Sequence, residues 1–347
     1  MSEQDAVFSS LPPRRKLSET FVWLLIREKK IFVSVLVVLA VACFLLWLEI
    51  GAPEWSAVPE RIVVGQGETE AEIVAQLAED GFIRSEKGFN FVLSFKGWHG
   101  KIHPGGYKIS KSMNAYVVAS IMVGEPYMRW VTIQEGLRKE EIAKIYTEML
   151  GWTVTDQKNF LAARMAQMPL DDGYYFPDTY LVSLDEPGEK VAQRMYARFN
   201  EKFEPYSVEA LAQNVKHTTV VKIASIIERE AAGKSDMPLI AGILWNRLDK
   251  KMKLDIDSTL QYARGDIGKG WWAAISIDDK KIDSPFNTYR NVGLPPSAIS
   301  NPGIDSIQAV LRPQKTKCLF YLHDPSKQIH CAVTYAQHKM NIEKYLK

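Results

Sequence analysis

The sequence predicts an α+β protein with three parts: a single N-terminal transmembrane helix, a small α+β module, and a larger mixed α+β domain. Three observations carry this. One uninterrupted apolar run, IFVSVLVVLAVACFLLWL, stands near the N-terminus from Ile31 to Leu48. Beyond it, short β-branched stretches alternate with stretches of helical period and never settle into a repeat. The chain has 347 residues and a net charge of +2, with 46% hydrophobic and 24% charged residues, a composition that folds. That balance excludes a disordered tail and a nucleic-acid-coating protein, which would carry a large basic excess. Three cysteines exclude a disulfide scaffold and a Cys-based zinc cluster, and the six histidines stand at no metal-ligand spacing. Neither a metal nor another cofactor is expected.

Eighteen residues without a charge or a proline make a helix of about 27 Å, close to the hydrocarbon thickness of a bilayer. The span is therefore set at 31–50. Arg14, Arg15, Lys16, Arg27, Lys29 and Lys30 precede it, whereas Glu49, Glu54 and Glu60 follow and Arg61 is the first basic residue after it. The positive-inside rule then keeps residues 1–30 in the cytoplasm and puts the rest on the far side of the cytoplasmic membrane, as a single-pass protein. Trp23, Trp47 and Trp55 fall near the two ends, where indoles prefer the headgroup region. A thirty-residue polar and basic lead is long for a cleaved signal peptide, and a core helix is not apolar all round at a chain end. Ala40 to Cys43 loosely resembles a lipoprotein cleavage site, but Phe44 to Leu48 continue the run, so Cys43 reads as a small apolar residue of the span. Cys318 and Cys331 share a compartment and are free to pair; their spacing leaves the question open.

After a linker at 51–59, the module at 60–126 opens with a short strand, a Gly-marked turn and a helix. Thr69 and Glu72 form a capping box there, and Ile73, Val74 and Leu77 make the buried stripe. A second helix is expected from Phe89 to Phe95, a strand from Gly106 to Ser110, and a helix from Ala115 to Val123, stopped by Gly124 and Pro126. A ligand-gripping role and a spacer role are equally compatible with this pattern. The domain at 127–347 begins with a strand and helix from Arg129, followed by an aromatic turn, DDGYYFPDTYLV, at 171–182. Helices are expected at about 188–202, 207–232 and 235–249. The stretch 284–303, rich in Asn and Pro, reads as an ordered loop. A hairpin turning at Asp324 to Lys327 and a last helix close the chain.

Residues of functional type concentrate between Ala224 and Tyr289. In VVKIASIIEREAA, steps of about 100° put Val220, Ile223, Ala224, Ile227 and Ala231 on one buried face with Arg229 opposite. Glu228 and Glu230 fall on opposite flanks. Glu230 shares its flank with Ile223 and Ile226, and a carboxyl held among apolar groups keeps its proton to higher pH, as a general acid requires. Both glutamates also suit ordinary flanking positions on an amphipathic helix. The segment LDIDSTLQY at 254–262 reads as an extended cleft wall or a surface strand, with Asp255 and Asp257 on one side. Asn287, Thr288 and Tyr289 offer an amide, a hydroxyl and a stacking ring, the usual means of holding a sugar, although such residues also stabilise turns.

Six ordered motifs give these residues a family. ASIIEREA (224–231), AGILWNRL (241–248), LDIDSTLQYA (254–263), SPFNTY (284–289), GLPPSAISNPG (293–303) and HCAVTYAQH with IEKYL near the C-terminus resemble the YceG-like family of endolytic murein transglycosylases. Upstream, DGYYFPDTY (172–180), GGYKIS and IVVGQGETEAEI match as well, so the resemblance runs from about residue 60 to the end and includes the single N-terminal span. Two positions depart from the family pattern: Cys331 replaces a usual aromatic, and Ser297 a usual Gly.

The resemblance implies a LysM-like murein-binding subdomain at 60–126 and a lytic-transglycosylase catalytic domain at 127–347 facing the periplasm. Glu230, the second glutamate of its E-x-E pair, becomes the catalytic residue. Asp257, Ser258, Thr259, Gln261, Tyr262, Asn287, Thr288 and Tyr289 become the substrate-binding set. The implied reaction cleaves the β-1,4 bond between N-acetylmuramic acid and N-acetylglucosamine within nascent strands, without water, leaving 1,6-anhydro ends and ending elongation. Peptidoglycan strands are the implied substrate and peptidoglycan synthases, the penicillin-binding proteins, the implied partners. One glutamate suffices for such chemistry, whereas ordinary glycosidases use two carboxylates. The alternatives are a non-catalytic murein-binding scaffold of the synthesis machinery, and a lyase of a small cytoplasmic metabolite, which the exported topology disfavours.

Overall fold

The computed structural model describes residues 19–165 and 168–347, with side chains from Arg27 onward except that of Pro169. Arg14, Arg15 and Lys16 of the basic lead, and the side chain of Trp23, lie outside the described residues. The chain divides into two compact units, Met1–Pro126 and Tyr127–Lys347.

In the first unit, helix α1 (Glu19–Ile50) contains a stretch, Arg27–Ile50, long and apolar enough to cross a membrane. Strand β1 (Glu60–Val64) pairs antiparallel with β2 (Gly105–Ile109), Ile62 opposite Tyr107. Helices α2 (Glu70–Glu79) and α3 (Glu86–Lys96) lie between them in the chain, and α4 (Ala115–Met122) follows. Local chemistry explains each start. Thr69 and Glu72 form the reciprocal capping box at α2, Ser85 accepts from the Gly88 N–H at α3, and Asn114 accepts from Val117 at α4. Ile73, Val74 and Leu77 are buried as expected and share one core with Phe89, Leu93, Tyr107, Ile109 and Val118.

The second unit pairs β3 (Met128–Thr132) antiparallel with β6 (Thr179–Ser183), Trp130 opposite Leu181. Between them come α5 (Lys139–Leu150), α6 (Val154–Leu161) and the two-residue strands β4 (Arg164–Met165) and β5 (Met168–Pro169). These pack through Tyr146, Trp152, Phe160, Tyr175 and Met195. Next come α7 (Gly188–Ala212), α8 (His217–Glu230), α9 (Met237–Asp249), α10 (Asp257–Arg264) and α11 (Ile304–Leu311), followed by the antiparallel hairpin β7 (Phe320–His323) and β8 (Ile329–Ala332) and by α12 (Tyr335–Tyr345). Cys318 and Cys331 are bonded, with Cα atoms 5.9 Å apart, which ties the approach to β7 onto β8.

Two expectations need correction. The helix placed at 207–232 is two helices: α7 runs through Pro205 to Ala212, and the break falls at Asn214, whose φ of 56° no α-helix continues. The expected extended segment at 254–262 is helical from Asp257 onward, so Asp255, at φ 50°, lies in the turn before α10 and the two aspartates do not share one side of a strand. Short α6 and α11 carry too few periods to stand out in the sequence.

Candidate active site

Helix α8 brings the first carboxylate. Val220, Val221, Ile223, Ala224, Ser225, Ile226 and Ile227 are all buried, so the helix threads the core of the second unit and only its last turn reaches polar surroundings. Glu230, its final residue, is partly exposed. Its Oε1 accepts from the Ser258 hydroxyl at 2.7 Å and its Oε2 from the Tyr321 hydroxyl at 2.8 Å. Ile223 and Ile226, the apolar flank expected to surround it, belong to the core instead. Two hydroxyls therefore hold this carboxylate.

The donors come from separate elements. Ser258 sits in the first turn of α10, whose start is fixed by Thr259: the Thr259 hydroxyl donates to the Ile256 carbonyl and shares a 2.8 Å hydrogen bond with the Thr288 hydroxyl. Thr288 in turn accepts from the Ile256 N–H at 3.0 Å. Asn287 donates to the carbonyls of Lys280 and Ile282 and accepts from the Tyr289 N–H. Asn287, Thr288 and Thr259 are fully buried, their polar groups committed to this turn. What the turn presents outward is Tyr289, whose hydroxyl donates to Asp257 on exposed α10 surface. Burial first, then Asp257, pushes the Tyr289 phenol far above its ordinary range. Beside Glu230 the structure thus gathers Ser258 directly, with Asp257 and Tyr289 joined to each other nearby.

Gln261 and Tyr262 face other duties. The Gln261 amide donates to the carbonyls of Trp272 and Ala273, anchoring the 265–277 loop. Tyr262 donates to Asp172 at 2.9 Å and packs on Phe286 and under the Arg138 guanidinium. Arg229, the residue between the two glutamates, lies over the Trp272 ring at 3.9 Å rather than in solvent. Glu228 accepts from the Gly303 N–H at 3.0 Å, the N-terminus of α11, where an acceptor is expected on structural grounds alone.

Sequence reasoning missed Tyr321 altogether. It stands 91 residues from Glu230 on β7, and burial with the adjacent carboxylate pushes its phenol well above the ordinary value. Asn246 and Arg247 on α9 were likewise visible only as a motif. Asn246 donates to the carbonyls of Thr316 and Cys318, and Arg247 donates to those of Leu319, Lys253 and Leu254, so one helix fixes both the approach to β7 and the approach to α10. Its guanidinium also lies 5.0 Å from the Phe320 ring. A cavity of about 520 Å³ lies by the opposite end of α8, against Thr218, Val221 and Lys222, and does not include Glu230. No group of three His, Cys, Asp or Glu side chains able to hold a metal exists among the described residues.

The sequence of the YceG-like family matches residues 62–344, most of the chain. The chain belongs to that family. Two curated relatives are each called an endolytic murein transglycosylase: one from Bacillus subtilis, 29% identical over 309 residues, covering 82% of this chain and 84% of its own length, and one from Streptococcus pneumoniae serotype 2, 26% identical. The match covers 58% of the pneumococcal protein's length. Among solved structures, a yceG-like protein from Listeria monocytogenes superposes with a TM-score of 0.53 at 26% identity, covering 82% of this chain and 99% of that one. The family's motifs now have a physical reading in this chain. ASIIEREA carries the Glu230 carboxylate, LDIDSTLQYA delivers Ser258, SPFNTY builds the buried turn behind Tyr289, and AGILWNRL clamps the segment leading into the strand that carries Tyr321.

Proposed function

We propose that this chain is a membrane-anchored endolytic murein transglycosylase in which Glu230 alone serves as acid and then base. The observation that carries the reading is the pair of hydroxyls on Glu230. A hydroxyl donates to a carboxylate and can turn to accept from a carboxyl, so Ser258 and Tyr321 can follow the proton on and off Glu230 while both oxygens stay in place. Glu230 protonates the glycosidic oxygen between N-acetylmuramic acid and N-acetylglucosamine, and the C1–O bond breaks. The carboxylate left behind takes the proton of the muramyl C6 hydroxyl as that oxygen bonds to C1, giving a 1,6-anhydro end. No water enters. Exposed Asp257 and half-buried Tyr289 are the groups best placed to meet the sugar, with Ser258, Thr259, Gln261, Tyr262, Asn287 and Thr288 supporting them. An enzyme of the lytic-transglycosylase type agrees with the names of its relatives, and internal cleavage of nascent strands would end their elongation.

Further features support the location. The Arg27–Ile50 helix is a candidate anchor with basic residues on its N-terminal side, and the Cys318–Cys331 bond suits an oxidising compartment beyond the membrane. The subdomain at 60–126 is then a LysM-like grip on glycan, and peptidoglycan synthases are the natural partners for an enzyme acting on new strands. Digesting purified, uncrosslinked glycan strands and weighing the products tests the chemistry: each cleavage product should be one water lighter than its hydrolytic counterpart. Ordinary reducing ends would mean hydrolysis, with Asp257 the first candidate for a second carboxylate.

A further inference from the structure

In the first unit, helix α3 is locked against the end of the apolar helix. The side-chain direction of Gly88 points into the backbone of Glu49, where any Cβ would collide. Arg84, just ahead of α3, lies 4.3 Å from the Trp47 ring and donates from Nε to the Ala52 carbonyl at 2.8 Å. At about 100° per residue, Phe91 and Phe95 fall within about 60° of Gly88 around α3, so both rings point to the side on which α1 ends. They stack on each other with centroids 6.1 Å apart, yet are 53% and 76% exposed. Trp55, a few residues beyond α1, is 94% exposed. Lys87 and Lys96 are exposed on the same helix, with the Lys96 ammonium 6.0 Å from the Phe95 ring.

Resting on the membrane anchor proposed above, we infer that the Phe91–Phe95 face of α3, with Trp55, is a lipid-contacting surface that lies in the headgroup region of the leaflet where α1 emerges. The chemistry matches that layer. Aromatic rings prefer the boundary between acyl chains and headgroups, and lysines beside them meet lipid phosphates. Geometry sets the depth, because Gly88 fixes α3 at the level of Glu49, the last turn of the span. Exposed stacked aromatics that water would penalise are thus continuous with a helix that already enters lipid. The first unit then lies against the bilayer instead of swinging freely on residues 51–59.

The full chain, reconstituted in phosphatidylethanolamine and phosphatidylglycerol vesicles, tests this. An environment-sensitive dye is placed at Phe95→Cys in a Cys43→Ser background and, in a second sample, at Cys43 itself. The label at 95 should emit as in a lipid interface and lose most of its intensity to a spin label held at headgroup depth. Phe91→Ser should weaken that quenching. The Cys43 label should be quenched by a spin label deep in the acyl region. Water-like, unquenched emission at 95 with a quenched Cys43 label would overturn the lipid face and leave the anchor standing, whereas an unquenched Cys43 label would remove the anchor and the inference with it. Protection of the 95 label that appears only on adding murein strands would make the face a glycan platform and overturn the lipid assignment.

Discussion

Asp172 and Glu230, two of the carboxylates in the second unit that accept a hydrogen bond from a tyrosine, differ in what else holds them. Asp172 is fully buried. Its Oδ1 accepts from the Lys139 N–H at 2.7 Å and from the Asn301 amide at 3.2 Å, and its Oδ2 from Tyr262. Lys139 is the first residue of α5, so Asp172 occupies a helix start. Asn301 also accepts from the N–H groups of Gly173 and Tyr175, and Gly173, at φ 96°, has Val221 and Ala298 where a side chain would go. Apart from the Tyr262 hydroxyl, the groups that hold Asp172 are fixed framework. Glu230, in contrast, is partly exposed, and its hydrogen-bond partners among the described residues are two rotatable hydroxyls. A backbone N–H cannot turn into an acceptor; a hydroxyl can. The contrast is between a carboxylate held largely by backbone and amide donors and one held by two hydroxyls alone, the arrangement the proposed acid–base role needs.

Losing the proton proposed to move on and off Glu230 should give the largest effect. Glu230→Gln keeps the side-chain shape, and general acid–base catalysis contributes about 10²- to 10⁴-fold, so strand cleavage should fall by that factor while the unfolding midpoint barely moves. Glu228→Gln, two residues away, removes charge from the α11 N-terminus and should cost about 1 kcal/mol or less, with most activity retained. Equal loss of activity in both variants would break the assignment.

A smaller loss is expected from Tyr321→Phe. A hydrogen bond to a charged group contributes about 1.5–3 kcal/mol, so kcat should drop by roughly tenfold to a hundredfold if Tyr321 aligns the glutamate. KM should change little, because the hydroxyl points at the enzyme's own carboxylate. A variant with raised KM and unchanged kcat would instead make Tyr321 a substrate contact.

The two sites also differ in how far the sequence revealed them. Capping at Thr69 and Glu72 was legible because both partners lie within one turn, and the stripe of Ile73, Val74 and Leu77 because its period is local. Glu230 stood out through its motif, not through the apolar flank, since burial of α8 on nearly all sides hides which flank faces the site. Asn287 and Thr288 are polar types that suit sugar binding or turns alike, and only their bonds to Lys280, Ile282, Ile256 and Tyr289 show the turn. Tyr321 and Asp172 depend on contacts 91 and 90 residues away, with Glu230 and Tyr262 respectively, and no local pattern encodes such pairs.

The smallest effect belongs to Asp172→Asn, and it appears in the pH dependence of stability. Burial, reinforced by Glu140, pushes the Asp172 carboxyl up to about 6 from an ordinary 3.8, against the opposing pull of the Lys139 N–H and Tyr262. The folded chain therefore holds this proton more tightly than the unfolded chain does. Between pH 3.8 and about 6 the folded state carries the extra proton, so this group's contribution to stability falls as pH rises through that window and is level above it. Asparagine can still accept from Lys139 and pair with Tyr262 without carrying charge, so the variant should lack that fall. Thermal midpoints measured from about pH 4 to 7 should show the wild type losing stability relative to Asp172→Asn up to about pH 6 and running parallel to it beyond. Strand cleavage at neutral pH should stay near that of the wild type. Parallel curves throughout would mean that Asp172 titrates as an ordinary carboxylate, and a collapse of activity without loss of fold would place it in the chemistry rather than the framework.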